Sequence, residues 1–558
     1  MTGKEFTPKF FTLLQSGISK ERFFKDLVAG IIVGIVALPL AIAFAIASGV
    51  SPDKGLITAV IAGFLISVLG GSRVQIGGPT GAFIVIVYAI VQKFGLAGLT
   101  TATFMAGFII IAMGLARLGN WLKYVPYPLI VGFTSGIALI IFSSQINDFL
   151  GLGINNLPAD FIEKWGVYFE HINSVNIYAL VIAVLTVIIS FGFGKVSKKI
   201  PGSIIAILLS TLVVQLFNIP VDTIETKFGE ISGSFSLPEL PVLKWETIKE
   251  LIQPAFAIAL LGGMESLLSA VVADGMIGGK HRSNMELVAQ GTANIFSALF
   301  GGIPATGAIA RTATNVKNGG RTPIAGITHA LVLLLIMLIF APYAKLIPLA
   351  TLAGILVVVS YHMGEWHRFF SLIKSEKNDV IILLTTFFLT VIFDLVIAIE
   401  VGIVLSSFMF MKRMSDSLEV KTAFNLENES GTNGEKLFDD ELNRLPEEVL
   451  LYEINGPLFF GAAQQFQDTV KDLNVLPKII ILRMRYVPFI DATGVQRLID
   501  TLKFFTESKV EVIFSGVNSK VKNELEKAKI YTLLRPENLT DSIGNALTRA
   551  EQILGELK

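Results

Sequence analysis

The chain has 558 residues, 52% hydrophobic and only 16% charged, with a mean hydropathy of +0.66. A soluble protein carries about 25% charged residues, so a wholly soluble chain is excluded. Lys+Arg and Asp+Glu number 45 each, leaving no global field for nucleic acid, and zero cysteines exclude disulfides, thiol catalysis and Cys-based metal sites. His171, His281, His329, His362 and His367 form no HxH or HxxxH pair, which argues against a metal centre.

In chain order, residues 1–26 are mixed and basic (Lys4, Lys9, Lys20, Arg22, Lys25) and read as a cytoplasmic N-terminal segment. The apolar run that begins near Leu27 is followed by many more, so it reads as a span and not a cleaved signal. Apolar segments fall at 27–49, 54–71, 80–93, 99–117, 125–148, 175–193 and 200–218, and again at 251–274, 286–301, 306–318, 323–341, 346–361, 379–394 and 396–411. Most approach the ~20 residues a helix needs to cross a ~30 Å hydrocarbon core. Residues 27–412 therefore read as a transmembrane domain of fourteen segments. With the N-terminus inside, Arg73, Arg117, Lys123, Lys195, Lys198 and Lys199 fall on cytoplasmic turns, as do Lys280, Arg282, Lys317, Arg321, Arg368, Lys374, Lys377, Lys412 and Arg413. The loop 219–250 on the other side carries three Lys against six acids. This bias places both termini in the cytoplasm of a multi-pass inner-membrane protein.

The third and tenth segments are short and open on matched breaks, Gly77-Gly78-Pro79-Thr80-Gly81-Ala82 and Gly301-Gly302-Ile303-Pro304-Ala305-Thr306-Gly307-Ala308. Aligning Thr80 with Thr306 separates equivalent segments by seven, an odd number. The halves 27–218 and 251–412 are thus expected to form a 7+7 inverted repeat, with the broken helices meeting near the bilayer midplane. Helix starts expose unpaired N–H groups and about half an elementary charge of dipole, so two that face each other make an anion nest. Glycines 77, 78, 81, 301, 302 and 307 permit close approach, Pro79 and Pro304 suit first-turn positions, and Thr80 and Thr306 add hydroxyl donors. Gln75, just before the first break, is expected to line the site.

Arg311 stands five residues past Thr306, and its side chain leans back toward the nest. A charge at that depth costs ~2.5–3.5 kcal/mol on insertion scales, which favours a functional use; pairing with a local acid is the alternative. The acid at hand is Glu265, alone in the middle of its span with Ser269 one turn on. It is a candidate proton- or cation-coupling group, or a fixed counter-ion of Arg311. Two dipole ends and Arg311 sum to about +2, and a proton on Glu265 would suit the site to a dianion. Asp274 and Asp379 sit at cytoplasmic ends, and Asp394 and Glu400 flank the last turn, where contacts at the interface or a gate are expected.

The runs VALPLAIAFAIASGVSPDKGL, GGSRVQIGGPTGAF, GGMESLLSAVVADGM and GGIPATGAIARTATN together resemble the sulfate permease (SulP) family of anion transporters. The resemblance implies a polytopic α-helical fold with core and gate domains, elevator-like movement and homodimers. It implies a small inorganic or organic anion as substrate: sulfate, bicarbonate, chloride, oxalate or a C4-dicarboxylate. It implies that Pro79, Thr80, Gly81, Thr306, Gly307 and Ala308 line the substrate site, and that Arg311 holds the family's basic position on helix ten. Glu265 and Ser269 match the acid and hydroxyl of sodium-coupled bicarbonate members, but Ile309 stands where a threonine is expected, so proton coupling is preferred to sodium. No other cofactor is expected.

Residues 413–446 are polar and read as a linker, with NLENESGTNGEK a loop. Strand-like runs at 449–455, 458–460, 479–482 and 510–514 then alternate with helical runs at 463–474, 493–507, 518–528 and 540–556. This reads as a small α/β domain over 447–558. Its turn Asp491-Ala492-Thr493-Gly494 is similar to the D-x-[ST]-G loop of STAS domains, which implies that Thr493 is a phosphorylatable, regulatory position; a helix cap is the simpler role. A cytoplasmic partner is expected for such a domain. No catalytic constellation or phosphate-binding loop is present, so the chain reads as a transporter and not an enzyme, with an anion sensor that signals through its tail as the alternative class.

Overall fold

The computed structural model describes residues 5–120, 125–154, 157–158, 160–196, 202–229, 237–241, 245–393, 395–416, 419–422, 445–446, 448–459 and 477–556. Its internal contacts divide it into two compact units, Met1–Val404 and Leu405–Lys558.

The first unit is helical. It runs α1 (Lys9–Ser16), α2 (Lys20–Ala47), α3 (Pro52–Leu69), β1 (Gly77–Gly78), α4 (Ile84–Leu115), α5 (Tyr127–Leu150), α6 (Phe161–Glu170), α7 (Ile177–Val196), α8 (Gly202–Phe217), α9 (Ile224–Phe228), α10 (Trp245–Ile277), α11 (Ser283–Leu299), β2 (Thr306–Gly307), α12 (Ile309–Lys317), α13 (Ile324–Ala344), α14 (Leu349–Met363), α15 (Trp366–Ile373), α16 (Lys377–Ile392) and α17 (Leu395–Asp416), the last shared with the second unit. Among the described residues, six helical stretches are long and apolar enough to cross a membrane: Lys20–Ala47, Pro52–Leu69, Gly81–Leu115, Tyr127–Leu150, Trp245–Ile277 and Leu349–Ile373. Ile177–Phe193, Gly202–Phe217 and Ile324–Ile339 are shorter apolar helices. Side chains such as Leu212, Leu216 and Phe217 on α8 are more than half exposed, which suits hydrocarbon and not water. The chain is a polytopic α-helical membrane protein.

Each of the fourteen apolar segments coincides with helix, with two differences. Segments 80–93 and 99–117 form one kinked helix, α4, whose bend is at Gly95 (φ 67°, ψ −169°), a conformation that costs other residues most. The tenth begins at Ile309 and not Thr306, because Thr306 and Gly307 are extended. Pro304 thus precedes the helix by five residues and is not in its first turn.

Helix pairs recur when equivalents in the two halves are exchanged. The pair α2–α13 is matched by α10–α4, α3–α13 by α11–α4, and α5–α16 by α14–α7, while α3–α11 and α5–α14 exchange with themselves. Glycines permit the closest of these approaches. A Cβ on Gly107 of α4 would stand 2.7 Å from the Gly291 carbonyl of α11, and one on Gly132 of α5 only 2.4 Å from the Leu383 carbonyl of α16.

The second unit is a small α/β domain. Its sheet runs β3 (Glu419–Thr422), β4 (Val449–Asn455), β5 (Ile479–Tyr486), β6 (Glu511–Ser515), β7 (Leu539–Thr540), with β3 antiparallel to β4 and the rest parallel. Helices α18 (Ala492–Glu507), α19 (Ser519–Lys527) and α20 (Ile543–Glu556) flank it. The strand β3 lies within the stretch read as linker. Leu458 makes a single bridge to Ile490 and not a full strand. The loop within 423–444, the helical run 463–474 and Asp394 lie outside the described residues.

Candidate functional site

The two Gly/Pro breaks cross and pair with each other. Gly77 faces Gly307 and Gly78 faces Thr306 in an antiparallel two-stranded ladder, extended by the Ala308 amide donating to the Ile76 carbonyl at 2.9 Å. The pairing needs bare backbone: a Cβ on Gly77 would meet Ile66 at 2.2 Å, and one on Gly307 would overlap the Gln75 amide. Each strand then turns into a helix start. Thr80 precedes the 3-10 turn Gly81–Phe83 that leads into α4, and Ala308 precedes α12. The first-turn N–H groups of α12 have no helical carbonyl to satisfy them. At the other start the 3-10 turn satisfies the Phe83 and Ile84 amides, through the Thr80 and Gly81 carbonyls, and leaves those of Gly81 and Ala82. Both dipoles point at the crossing.

One face of α10 underlies both breaks. Thr306 Oγ1 donates to the Gly262 carbonyl (2.7 Å), and Thr80 Oγ1 to Glu265 Oε2 (2.9 Å). Gln75 Nε2 donates to Ser266 Oγ (2.9 Å) and its carbonyl (3.2 Å), and Ser269 Oγ to Thr312 Oγ1 (3.3 Å). Residues 262, 265, 266 and 269 share one helical face. Two expected roles change accordingly. The Thr80 and Thr306 hydroxyl protons are committed to α10, and the Gln75 amide lies against Gly307 as a strut between the break and α10.

Arg311 is the third residue of α12 and is 2% exposed. Its Nη2 donates to the Pro79 carbonyl of the other break, and its Nη1 lies where a Gly78 side chain would be, 2.3 Å from that Cβ position. Nη1 has no hydrogen-bond partner. Among the described residues no ion pair within 4.0 Å joins Arg311 to Glu265, so direct pairing of the two is not the arrangement. A buried guanidinium N–H without an acceptor is costly and marks where a negative ligand would be received. Gly81 opens toward a different set of helices: its Cβ position is 3.2–3.5 Å from Ile141 of α5, Met363 of α14 and Phe44 of α2.

Sequence reading missed the residues that hold the breaks in shape. Glu286, fully buried, accepts from the Gly71 and Ser72 amides (2.8 and 2.9 Å) and from Gln290 (2.9 Å). Asn294 brackets Ala305, receiving its amide (2.9 Å) and donating to its carbonyl (2.8 Å). Ser297 donates to the Ile303 carbonyl (2.8 Å), whose amide donates to Thr58 Oγ1 (2.7 Å). The signal was present, because Glu286, Gln290, Asn294 and Ser297 form a polar stripe at helical spacing on α11.

A cavity of about 690 Å³ lies between the ends of α2, α5, α6, α10 and α16 and the first half of α4. It reaches inward to Ile84, and among the described residues its lining does not include Thr80, Glu265 or Arg311. In the second unit, Asp491 caps α18 by accepting from the Gly494 amide (2.7 Å), while Thr493 is exposed on the first turn. Asp274, placed at a cytoplasmic end, accepts from the His281 amide and faces its ring at 2.7 Å. Glu400 is exposed on α17.

Comparisons with known proteins agree with this architecture. The sulfate permease family profile matches residues 23–386 and the STAS domain profile residues 443–546. YvdB of Bacillus subtilis (strain 168), a provisionally named sulfate transporter, is 41% identical over 527 residues, 94% of this chain and 97% of its own. The bicarbonate transporter BicA of Picosynechococcus sp. is 31% identical over 94% of each chain. The solved transmembrane domain of a cyanobacterial BicA superposes with a TM-score of 0.63 at 34% identity, over 68% of this chain and 98% of that one. The structure of SLC26A9 superposes at 0.86 with 19% identity, over 98% and 92%, a likeness of fold. With a family profile spanning most of its length and a relative this similar end to end, the chain belongs to the sulfate permease family and carries a C-terminal STAS domain.

Proposed function

We propose that the protein is a secondary active transporter that takes up sulfate or a similar small anion together with protons, from an inner membrane in which both termini are cytoplasmic. The observation that carries this reading is the crossing of the two breaks. Two helix starts and the free Nη1 of Arg311 converge there, at about +2 of charge set against one carboxylate. Pro79, Thr80, Gly81, Thr306, Gly307, Ala308 and Arg311 form the substrate site, with Gln75 and the two threonine hydroxyls fixing its shape. The exchangeable helix pairs support fourteen segments in a 7+7 inverted repeat. In that arrangement α2–α4 and α10–α13 form the core, and α5, α7, α8, α14, α16 and α17 the gate.

Glu265 is the coupling group. It is bonded to the first break through Thr80 and lies on the helix that holds the second through Gly262, so its protonation acts on both half-sites at once. Ser269 supports it by tying α10 to α12. Elevator-like movement of the core past α5 and α14 would carry the crossing between faces. Sulfate is favoured by the name of the 41% identical relative, and bicarbonate by those at 31–32% identity; Ile309 beside the crossing offers no hydroxyl for sodium. The STAS unit is the regulatory part, with Thr493 exposed for modification and a cytoplasmic protein as its partner, and the assembly is a homodimer.

Uptake of labelled sulfate and bicarbonate into proteoliposomes, with and without an inward proton gradient, tests the reading. Accumulation above equilibrium that needs the gradient is expected. If no anion accumulates under any gradient, the protein is not a secondary active transporter of these ions.

A further inference from the structure

Lys164 lines the 690 Å³ cavity from the short connecting helix α6, outside the long spans. Only 5% of it is exposed. A lysine so far buried is ordinarily paired, yet among the described residues the Lys164 ammonium has no ion-pair partner within 4.0 Å and no hydrogen bond; only its backbone amide is bonded, to the Asp160 carbonyl. Its ammonium lies 5.5 Å from the centre of the Tyr88 ring, a weak cation–π contact.

Three acids, Asp148, Asp160 and Glu250, line the same cavity, Glu250 from an exposed position on α10. Asp148 pairs with Lys227 (3.1 Å). Asp160 caps α6, with Oδ1 accepting from the Ile162 and Glu163 amides (2.9 and 3.2 Å). Burial holds the Lys164 ammonium below the usual lysine range, and Asp160 pulls weakly the other way. A buried cation with open space beside it and no carboxylate within ion-pair distance can be completed by a mobile anion. Ser144 and Gln145, joined by a 2.7 Å hydrogen bond, place a hydroxyl and an amide on the same cavity.

Tyr88 is eight residues past Thr80, a rise of about 12 Å along the helical path, and among the described residues the cavity that Lys164 lines does not include Thr80, Glu265 or Arg311. We propose that Lys164 forms an outer subsite for a small oxyanion of the sulfate or bicarbonate class, separate from the crossing and reached before it. This rests on the transport reading only for its purpose, raising the anion's concentration at the inner site; binding itself does not depend on it.

The full-length protein in proteoliposomes is labelled with a membrane-impermeant amine-reactive ester, and modification of Lys164 is followed by peptide mass spectrometry. Sulfate, bicarbonate and gluconate are compared as sodium salts at equal ionic strength. Because burial favours the free amine, Lys164 reacts in gluconate; a bound anion restores the ammonium and shields it. We expect sulfate or bicarbonate to slow Lys164 modification at least severalfold, equally in wild type and Arg311→Ala, with Lys249, exposed and outside the cavity lining, unaffected. Asp160→Asn, which keeps the cap but removes the nearby carboxylate, should give protection at lower anion concentration. Protection without uptake would leave the subsite standing and remove the transport reading. No protection by either anion, or protection lost in Arg311→Ala, overturns the proposal.

Discussion

Gly78→Ala tests the role of the Arg311 guanidinium without touching Arg311. The added methyl would lie 2.3 Å from Arg311 Nη1, while its next neighbour, the Ala59 Cα, is at an ordinary 3.5 Å. The backbone there has φ +149°, so the alanine also carries strain of about 1–3 kcal/mol. The cheapest relief is for the guanidinium to retreat by about 1 Å, to an ordinary contact distance. That removes Nη1 from the crossing. Losing a charge-assisted hydrogen bond of about 1.5–3 kcal/mol weakens anion affinity about tenfold to somewhat over a hundredfold. The assay is equilibrium binding of labelled sulfate to purified protein, with a thermal melt to show that the variant is folded. Gly95→Ala is the control, since its φ of +67° gives comparable strain but its Cβ meets nothing within 4 Å; it should lose stability and keep affinity. A folded Gly78→Ala protein with unchanged affinity would refute the assignment of Nη1 to the anion.

Thr306→Val should lower stability by about 1 kcal/mol, the net worth of a typical hydrogen bond, and leave sulfate affinity within about twofold, because the lost hydroxyl proton serves Gly262 and not the ligand; a large affinity loss with an unchanged melt would show the reverse. Glu286→Ala leaves the Gly71 and Ser72 amides unpaired at about 1–3 kcal/mol each, so folded yield by size-exclusion chromatography should collapse. Recovery at wild-type yield and stability would mean that α11 does not hold the first break. Glu265→Gln can still accept from Thr80 but cannot release a proton, so uptake should no longer respond to a pH gradient while anion exchange at equal pH persists. A retained pH response in proteoliposomes would remove Glu265 from coupling.

Much of this was legible in the sequence because hydrocarbon leaves the chain few options. Apolar runs of spanning length become helices, and helix was found at all fourteen. The two Gly/Pro breaks stood out for the same reason, since they interrupt hydrogen bonding where no water can repair it. What the sequence did not display was the partner of each polar group. Thr80 and Thr306 read as hydroxyl donors to the ligand, and what redirects their protons is α10, almost two hundred residues from Thr80. Glu286, Gln290, Asn294 and Ser297 were visible as a stripe, but a stripe gains meaning only when the strand it grips is known. The Gly95 kink separates two runs that are one helix, because a single left-handed residue bends the axis without stopping the chain. The strand β3 was hidden in a polar stretch because its hydrogen-bonding partner, β4, begins 27 residues after it ends.

The claim that the crossing holds the transported anion is tested most directly by locating one. Selenate, a sulfate analogue whose selenium scatters anomalously, can be diffused into crystals of the full-length protein. The account predicts one strong anomalous peak within hydrogen-bonding distance of Arg311 Nη1, between the starts at Gly81 and Ile309, that is absent in Arg311→Ala. A protein that binds selenate in solution but shows no peak at the crossing, or keeps the peak without Arg311, would contradict it.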